Sequence, residues 1–419
     1  MLRLRRRFRR LTAGGMVNEI KENVEMQRAA SQKTVKTTPM STLSKWSEKI
    51  GRSFEKGRPL HCLHSLYDAV DTFLLTPSEV TKEGSHIRDA VDMKRIMITV
   101  MIALMPALLF GMWNLGYQHF LSAGLDTGFW SCLWYGFLKW LPLVIVTYIS
   151  GLAIEVAFAQ WRGHQVAEGF FVTGFIIPLI MPPDVPLWIV AVATVFSVVF
   201  AKEVFGGTGY NFLNPALVAR AFVFFAYPSV ISGDSVWIAE SADAVSGATP
   251  LALVMNGNRA QMPSFLDMFV GTIPGCIGET SKIAILLGAA VLLFTQVASW
   301  RIMLSVLVGG FVTGALFHTA GVCPVNGWQH LLMGGFLFGA VFMATDPVTA
   351  THTQSGKYIY GLFIGILAIV IRVVNKGYPE GMMLAILLMN IFAPLIDYCV
   401  VKVKVKKRKL NISKHKIKL

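Results

Sequence analysis

Charge is scarce in this sequence, and acidic charge scarcer: of 419 residues 15% are charged, with 24 Asp and Glu against 38 Lys and Arg. Hydrophobic residues make up 54% and mean hydropathy is +0.56. That balance excludes an ordinary soluble domain and points to a multi-span membrane protein. Cysteine is sparse as well. Cys62, Cys132, Cys276, Cys323 and Cys399 are scattered, odd in number and in no C-x-x-C spacing, which argues against a disulfide framework and a self-contained iron–sulfur or zinc site. They read as packing residues, with Cys132 or Cys323 as alternative ligands to a metal shared with another subunit. The net charge of +14 is concentrated in Arg3 to Arg10 and Lys402 to Lys418. No zinc-finger spacing or RNP-type aromatic run accompanies it, so no nucleic-acid partner is expected. The opening MLRLRRRFRRLTAGG is followed by a polar stretch from Met16 to Lys56 rather than an apolar h-region, so no cleavable signal is expected.

What the sequence does have is apolar runs. Hydropathy gives candidate spans near 96–113, 139–159, 168–182, 186–202, 214–231, 283–299, 302–320, 331–345, 357–374 and 382–401. The expected fold is therefore an all-α integral membrane protein of about ten helices. Several runs fall short of the ~20 residues a straight span needs, and such pieces are tolerated at membrane depth only where they line a cavity or are buried in protein. Ahead of the spans, residues 1–95 form a cytoplasmic N-terminal region. In it Leu60, Leu63, Leu66, Val70, Phe73 and Leu74 recur at helical spacing, as an amphipathic helix on the membrane surface or a short packed helix. An even number of spans puts both termini on one side. Both termini are rich in Lys and Arg, so the positive-inside rule places them in the cytoplasm, with residues 402–419 as a basic cytoplasmic tail and 232–282 as an outward loop. Arg372 and Lys376 run against this, since both would face outward.

The chain halves resemble one another. GFFVTGFIIPLIMPPDVP, Gly169 to Pro186, parallels GGFLFGAVFMATDPVT, Gly334 to Thr349. Each is Gly-rich and apolar, ends near an Asp-Pro or Pro-Pro-Asp, and is followed by further apolar runs separated by a break. Residues 96–231 and 283–401 thus read as two five-helix repeats, inverted because an odd number of crossings reverses orientation, with a pathway or binding site at their shared axis. Chance similarity of Gly-rich membrane helices is the competing account.

Four ionisable residues fall in or at the ends of spans: Glu155, Arg220, Asp346 and Asp397. A carboxylate in hydrocarbon costs at least ~2.5 kcal/mol, so such groups face a bundle interior and handle ions, protons or cofactors. Glu155 and Asp346 are the strongest candidates. Asp397 lies close to basic residues, where an ion pair at the membrane surface also accounts for it. Arg220 either pairs with a carboxylate or meets an anionic cofactor group. In KEVFGGTGYNFLNPALVARAF, Lys202 to Phe222, the glycines allow close backbone approach and Asn211 and Asn214 offer amide donors and acceptors suited to a carbonyl-rich ring. Asn214-Pro215 also has the chemistry of a helix start, with Asn at the N-cap and Pro at N1. No G-x-G-x-x-G follows a strand.

The loop carries DAVSGATPLALV, Asp243 to Val254. Its Ser246-Gly247-Ala248-Thr249 closely resembles the flavinylation motif in which the threonine holds FMN through a phosphoester. With SHIRDAVDMKRIM before the first span, the NFLNPALVARAF break and MATDPVTA, the chain from about Leu60 to the C-terminal tail resembles the B subunits of the sodium-translocating NADH:quinone reductases. The D subunit of ion-translocating ferredoxin:NAD oxidoreductases is a near relative, and a non-redox secondary transporter is a further alternative. The resemblance implies covalent FMN on Thr249 and riboflavin near Asn211 and Asn214. Electrons would pass inward from the flavin at Thr249 to a cytoplasm-facing ubiquinone or menaquinone, coupled to sodium export. It implies partner subunits bearing FAD, Fe–S centres and a second FMN, in a bacterial inner membrane. It places Glu155, Asp346 and Asp397 on the ion path, with Phe338 and Phe342 as its apolar constriction and Val172 as their counterpart in the first half. The competing account of these three apolar residues is membrane packing.

Overall fold

A computed structural model describes residues 50–51, 67, 93–162, 169–228, 237–238, 247–255, 257, 262–375 and 380–416. The chain divides into two compact units, Met1–Tyr67 and Asp68–Leu419. Of the first, Ile50, Gly51 and Tyr67 are described, so the expected amphipathic helix at Leu60 to Leu75 lies otherwise outside the described residues, as do Ser246 and Lys376.

The second unit is helical throughout its described residues. The first half contains α1 (Met93–Ser122), α2 (Phe129–Arg162), α3 (Gly169–Ile180), α4 (Leu187–Ser197) and α5 (Pro215–Ala226). Two short helices follow, α6 (Pro250–Met255) and α7 (Phe265–Val270). The second half contains α8 (Lys282–Phe294), α9 (Trp300–Thr319), α10 (Gly327–Leu332), α11 (Phe336–Phe338), α12 (Gln354–Val374) and α13 (Met382–Lys416). Six helices are long and apolar enough to cross a membrane: α1, α2, α4 with its extension to Phe205, α9, α12 and α13. Three more, α3, α5 and α8, are apolar but shorter. The remaining run, expected at 331–345, is broken into α10 and α11. Its break carries Gly334 at a φ of 59°, a left-handed turn that favours glycine.

Local chemistry explains these boundaries. Asn214 caps α5 by accepting from the N–H groups of Ala216 and Leu217, with Pro215 at N1. Ser281 and Thr353 cap α8 and α12 in the same way. Pro106, Pro142 and Pro394 lie inside α1, α2 and α13, as membrane helices allow. Trp130 and Trp161, near the two ends of α2, are 76% and 81% exposed. Their spacing along the helix, about 46 Å at 1.5 Å per residue, matches a bilayer with its headgroup layers and suits an aromatic belt. The expected separate tail after 401 is instead a continuation of α13 to Lys416, because its lysines are good helix formers once the preceding turns are in place.

Glycines let the backbones cross closely. On α12, a Cβ at Gly365 would overlap the carbonyl oxygen of Val306 on α9, and one at Gly361 would overlap the Ser305 hydroxyl. This is the small-residue packing of membrane helix pairs. The halves also meet: Gly288 of α8 lies against the Ala103 carbonyl of α1, and the N–H of Gly278 donates to Leu179 O at 2.9 Å.

Candidate functional site

The helix α4 does not end in a regular turn. It passes into a π turn, Val198–Lys202, then a 3-10 turn, Glu203–Phe205. Gly206, Gly207 and Gly209 then take positive φ before α5 begins. In the second half α11 passes into another π turn, Gly339–Met343. Such turns widen the helix and occur mostly at functional positions. Both reach a single cavity of about 80 Å³, to which Lys202 contributes from the first and Phe342 from the second.

That cavity collects much of the expected site. Val172, Asn211, Asn214, Phe342 and Asp346 all line it, so residues from both halves of the chain meet there. Asp346 lies on a wall shared with a second, more polar cavity of about 570 Å³, lined also by Thr351, His352 and Lys357. The Asp346 carboxylate accepts from Val348 N at 3.1 Å and the Thr349 hydroxyl at 3.0 Å. No described cation pairs with it. Thr208, on the smaller cavity, has a buried hydroxyl with no hydrogen-bond partner. Phe338 lies one turn before Phe342, with ring centroids 5.0 Å apart, and packs on Gly278 and Leu179 rather than on the cavity.

Glu155 is buried on α2 and forms an ion pair with Lys202. Its second oxygen, Oε2, is buried without a partner. Beside this pair, Arg162 donates to the backbone oxygen of Glu203 at 2.6 Å and faces its carboxylate at 3.6 Å. Of the two accounts of Arg220, the structure favours the first. Its guanidinium spans two carboxylates, Glu279 at 2.5 Å and Glu380, with bidentate reach that only arginine offers. Nearby, the buried Lys282 ammonium donates to the carbonyls of Glu279 and Thr280. Arg372 is fully buried, donating to His330 O at 2.6 Å and Met333 O at 3.2 Å. It therefore ties α12 to the second-half break and is no loop charge that argues against the expected orientation.

Asp397 belongs elsewhere. It accepts from His352 N, Thr353 N and the Thr353 hydroxyl at 2.8, 3.0 and 2.5 Å, fastening the start of α12 to α13 in place of the expected ion pair. Thr249 is also apart from the cavity. It is half-buried at the start of α6, and its hydroxyl accepts from Ala252 N at 3.3 Å. Leu251 of the same helix packs with Leu332 and Met333 at the second-half break.

Lys202, Glu279, Lys282 and Glu380 are buried functional or structural charges that hydropathy alone passes over, since each sits at the edge of an apolar run. Their signal was a charge adjoining a glycine-rich break, as in Lys202-Glu203 before Phe205-Gly206-Gly207.

The pattern of the NQR2, RnfD, RnfE family matches residues 80–406. The chain belongs to this family. A relative from Azotobacter vinelandii is 47% identical over 393 residues, covering 86% of this chain and 97% of the relative. One from Chromohalobacter salexigens is 48% identical over 390 residues, covering 86% and 94%. One from Klebsiella pneumoniae is 45% identical over 404 residues, covering 86% and 98%. Each of these NQR2, RnfD, RnfE relatives is named as the B subunit of a Na(+)-translocating NADH-quinone reductase. The family match begins at residue 80 and so leaves the N-terminal region largely outside it.

Proposed function

We propose that this chain is the B subunit of a Na+-translocating NADH-quinone reductase, a multi-pass membrane subunit through which electron transfer is coupled to sodium movement. The observation that carries this reading is the cavity where residues of both halves meet around an unpaired carboxylate, Asp346. A cation in a low-dielectric interior needs a fixed countercharge, and Asp346 stands between two cavities where it can serve one. We further read the chain as two inverted five-helix repeats with both termini in the cytoplasm of a bacterial inner membrane. The complex it joins has partners bearing FAD, Fe–S centres and a second FMN, and its acceptor is ubiquinone or menaquinone.

Two flavins belong to this reading, and the residues suit them unequally. Thr249 fits covalent FMN: its hydroxyl is half-buried and the residues before it, Gly247 and Ala248, are small. FMN bound there would supply single-electron transfer. Thr249 would hold its phosphate, while α6 anchors the attachment point on Leu332 and Met333. Riboflavin does not fit the cavity beside Asn211 and Asn214. About 80 Å³ is well below the ~300 Å³ of a small cofactor pocket. Gly209 N donates to Asn211 Oδ1, Asn211 Nδ2 donates to Leu213 O, and Asn214 Oδ1 caps α5. A flavin ring enters there only if 203–213 moves outward.

The chain itself joins the two events. Residues 333–346 touch α6 at one end, through Met333, and form the cavity wall at the other, through Phe342 and Asp346. A change of charge at Thr249 thus bears on a continuous segment that includes the π turn.

The test is the sodium dependence of NADH-driven quinone reduction by the assembled complex. Asp346→Asn is expected to raise the half-saturating sodium concentration by about tenfold or more, the equivalent of ~1.4 kcal/mol of lost attraction, with flavin content unchanged. An unchanged sodium dependence removes Asp346 from the path.

A further inference from the structure

Among the residues lining the inter-half cavity, the ionisable ones are Asp346 and Lys202. Asp346 is the countercharge already assigned to sodium. Lys202 carries the opposite sign, and a lysine on the wall of a cation path calls for a reason. Its side chain is 2% exposed. Its ammonium has three N–H donors, of which one is used by Glu155 Oε1, and it lies 5.9 Å from the centre of the Phe170 ring. No other described residue takes its remaining donors. Glu155 is also half-engaged, with Oε2 buried and unpartnered. A buried ion pair left this incomplete is a poor stabilising device, because desolvation consumes most of its attraction. The pair sits, moreover, at the end of the π turn that shapes the cavity.

We propose that Lys202 is a tethered countercharge of the sodium path, whose ammonium limits the cavity to one loosely held mobile cation. The inference rests on the sodium reading of the cavity. Glu155, Lys202 and Asp346 together carry one net negative charge, which a single sodium ion neutralises. Without the ammonium the same three positions carry two, in an interior where each uncompensated charge interacts strongly. Sodium would then be held too tightly to leave, or a second cation would follow it. Without the Glu155 carboxylate the ammonium faces the cavity unneutralised and repels the ion. The π turn permits the required placement, since its extra residue directs Lys202 to the cavity while α4 continues packed.

A purely structural Lys202, present only to neutralise Glu155, makes a different prediction. The experiment measures half-saturating sodium and the saturating rate of NADH-driven quinone reduction in the assembled, flavin-loaded complex, for Lys202→Met, Glu155→Gln, Lys202→Arg and the Lys202→Met/Glu155→Gln double variant. The expected result is a pair of opposite shifts. Lys202→Met lowers half-saturating sodium by about tenfold and lowers the saturating rate, while Glu155→Gln raises half-saturating sodium by about tenfold. Lys202→Arg, which keeps the charge, returns the constant toward the wild-type value, and the double variant, with net charge restored, lies between the two single variants. Shifts in the same direction, or unchanged sodium constants in complexes that assemble, overturn the proposal. If Lys202→Met does not assemble, Glu155→Gln decides alone, and an unchanged constant there overturns it. A wild-type complex with no sodium response at all points to failure of the sodium reading instead.

Discussion

Thr249→Ala is expected to abolish flavin fluorescence from the denatured, gel-resolved chain in cells that contain a flavin transferase, and with it quinone reduction by the complex. The substitution removes two things at once. One is the hydroxyl that would carry the phosphoester. The other is the cap of α6, where that hydroxyl accepts from Ala252 N. Losing such a cap costs typically ~1 kcal/mol, a small part of the ~5–15 kcal/mol by which domains are stable, so the chain should still fold and assemble. Thr249→Ser separates the effects, because serine caps as well as threonine. A flavin band that persists in Thr249→Ala places the attachment elsewhere, and a Thr249→Ser chain that assembles but lacks flavin shows the transferase requires the threonine methyl.

Arg220→Ala should have the largest effect on stability. Arg220 neutralises Glu279 and Glu380 together, and Glu279 belongs to the segment that leads into α8. Removing one partner of a buried pair costs about 3–5 kcal/mol, because it strands the other charge. Here two carboxylates are stranded side by side. The expected result is a several-fold loss of the chain from membranes and a lowered unfolding temperature in detergent, with little rescue by Arg220→Lys, whose single ammonium does not fork. Replacing Glu279 and Glu380 by glutamine in the same chain should restore much of the loss. Wild-type accumulation of Arg220→Ala would show that the cluster is dispensable.

These effects bear on what the sequence could disclose. The long apolar helices and the start of α5 at Asn214-Pro215 were legible because hydropathy and capping are local. The repeat motif was informative in a less direct way: it pointed to Val172 and Asp346, which do share a cavity. The charge clusters were not legible. Lys202 and Glu380 sit at the ends of apolar runs, where a window average reads a boundary, and only the inward fold of residues 271–281 buries Glu279. That fold is held by Asn114 Nδ2, which donates to Ile273 O at 2.9 Å. Arg372 misled for the same reason, since its carbonyl partners His330 and Met333 lie some forty residues away in sequence. The π turns left no sequence mark at all, for an extra residue in a turn is a response to packing rather than to composition.

The proposed function stands or falls on sodium passing through the cavity bounded by Val172, Phe342 and Asp346. The most direct test fills that space without altering charge: NADH-driven uptake of radiolabelled sodium into vesicles carrying the assembled complex with Val172→Trp. The account predicts that flavin content is retained while sodium uptake is lost. Sodium uptake at the wild-type rate in that complex would contradict it.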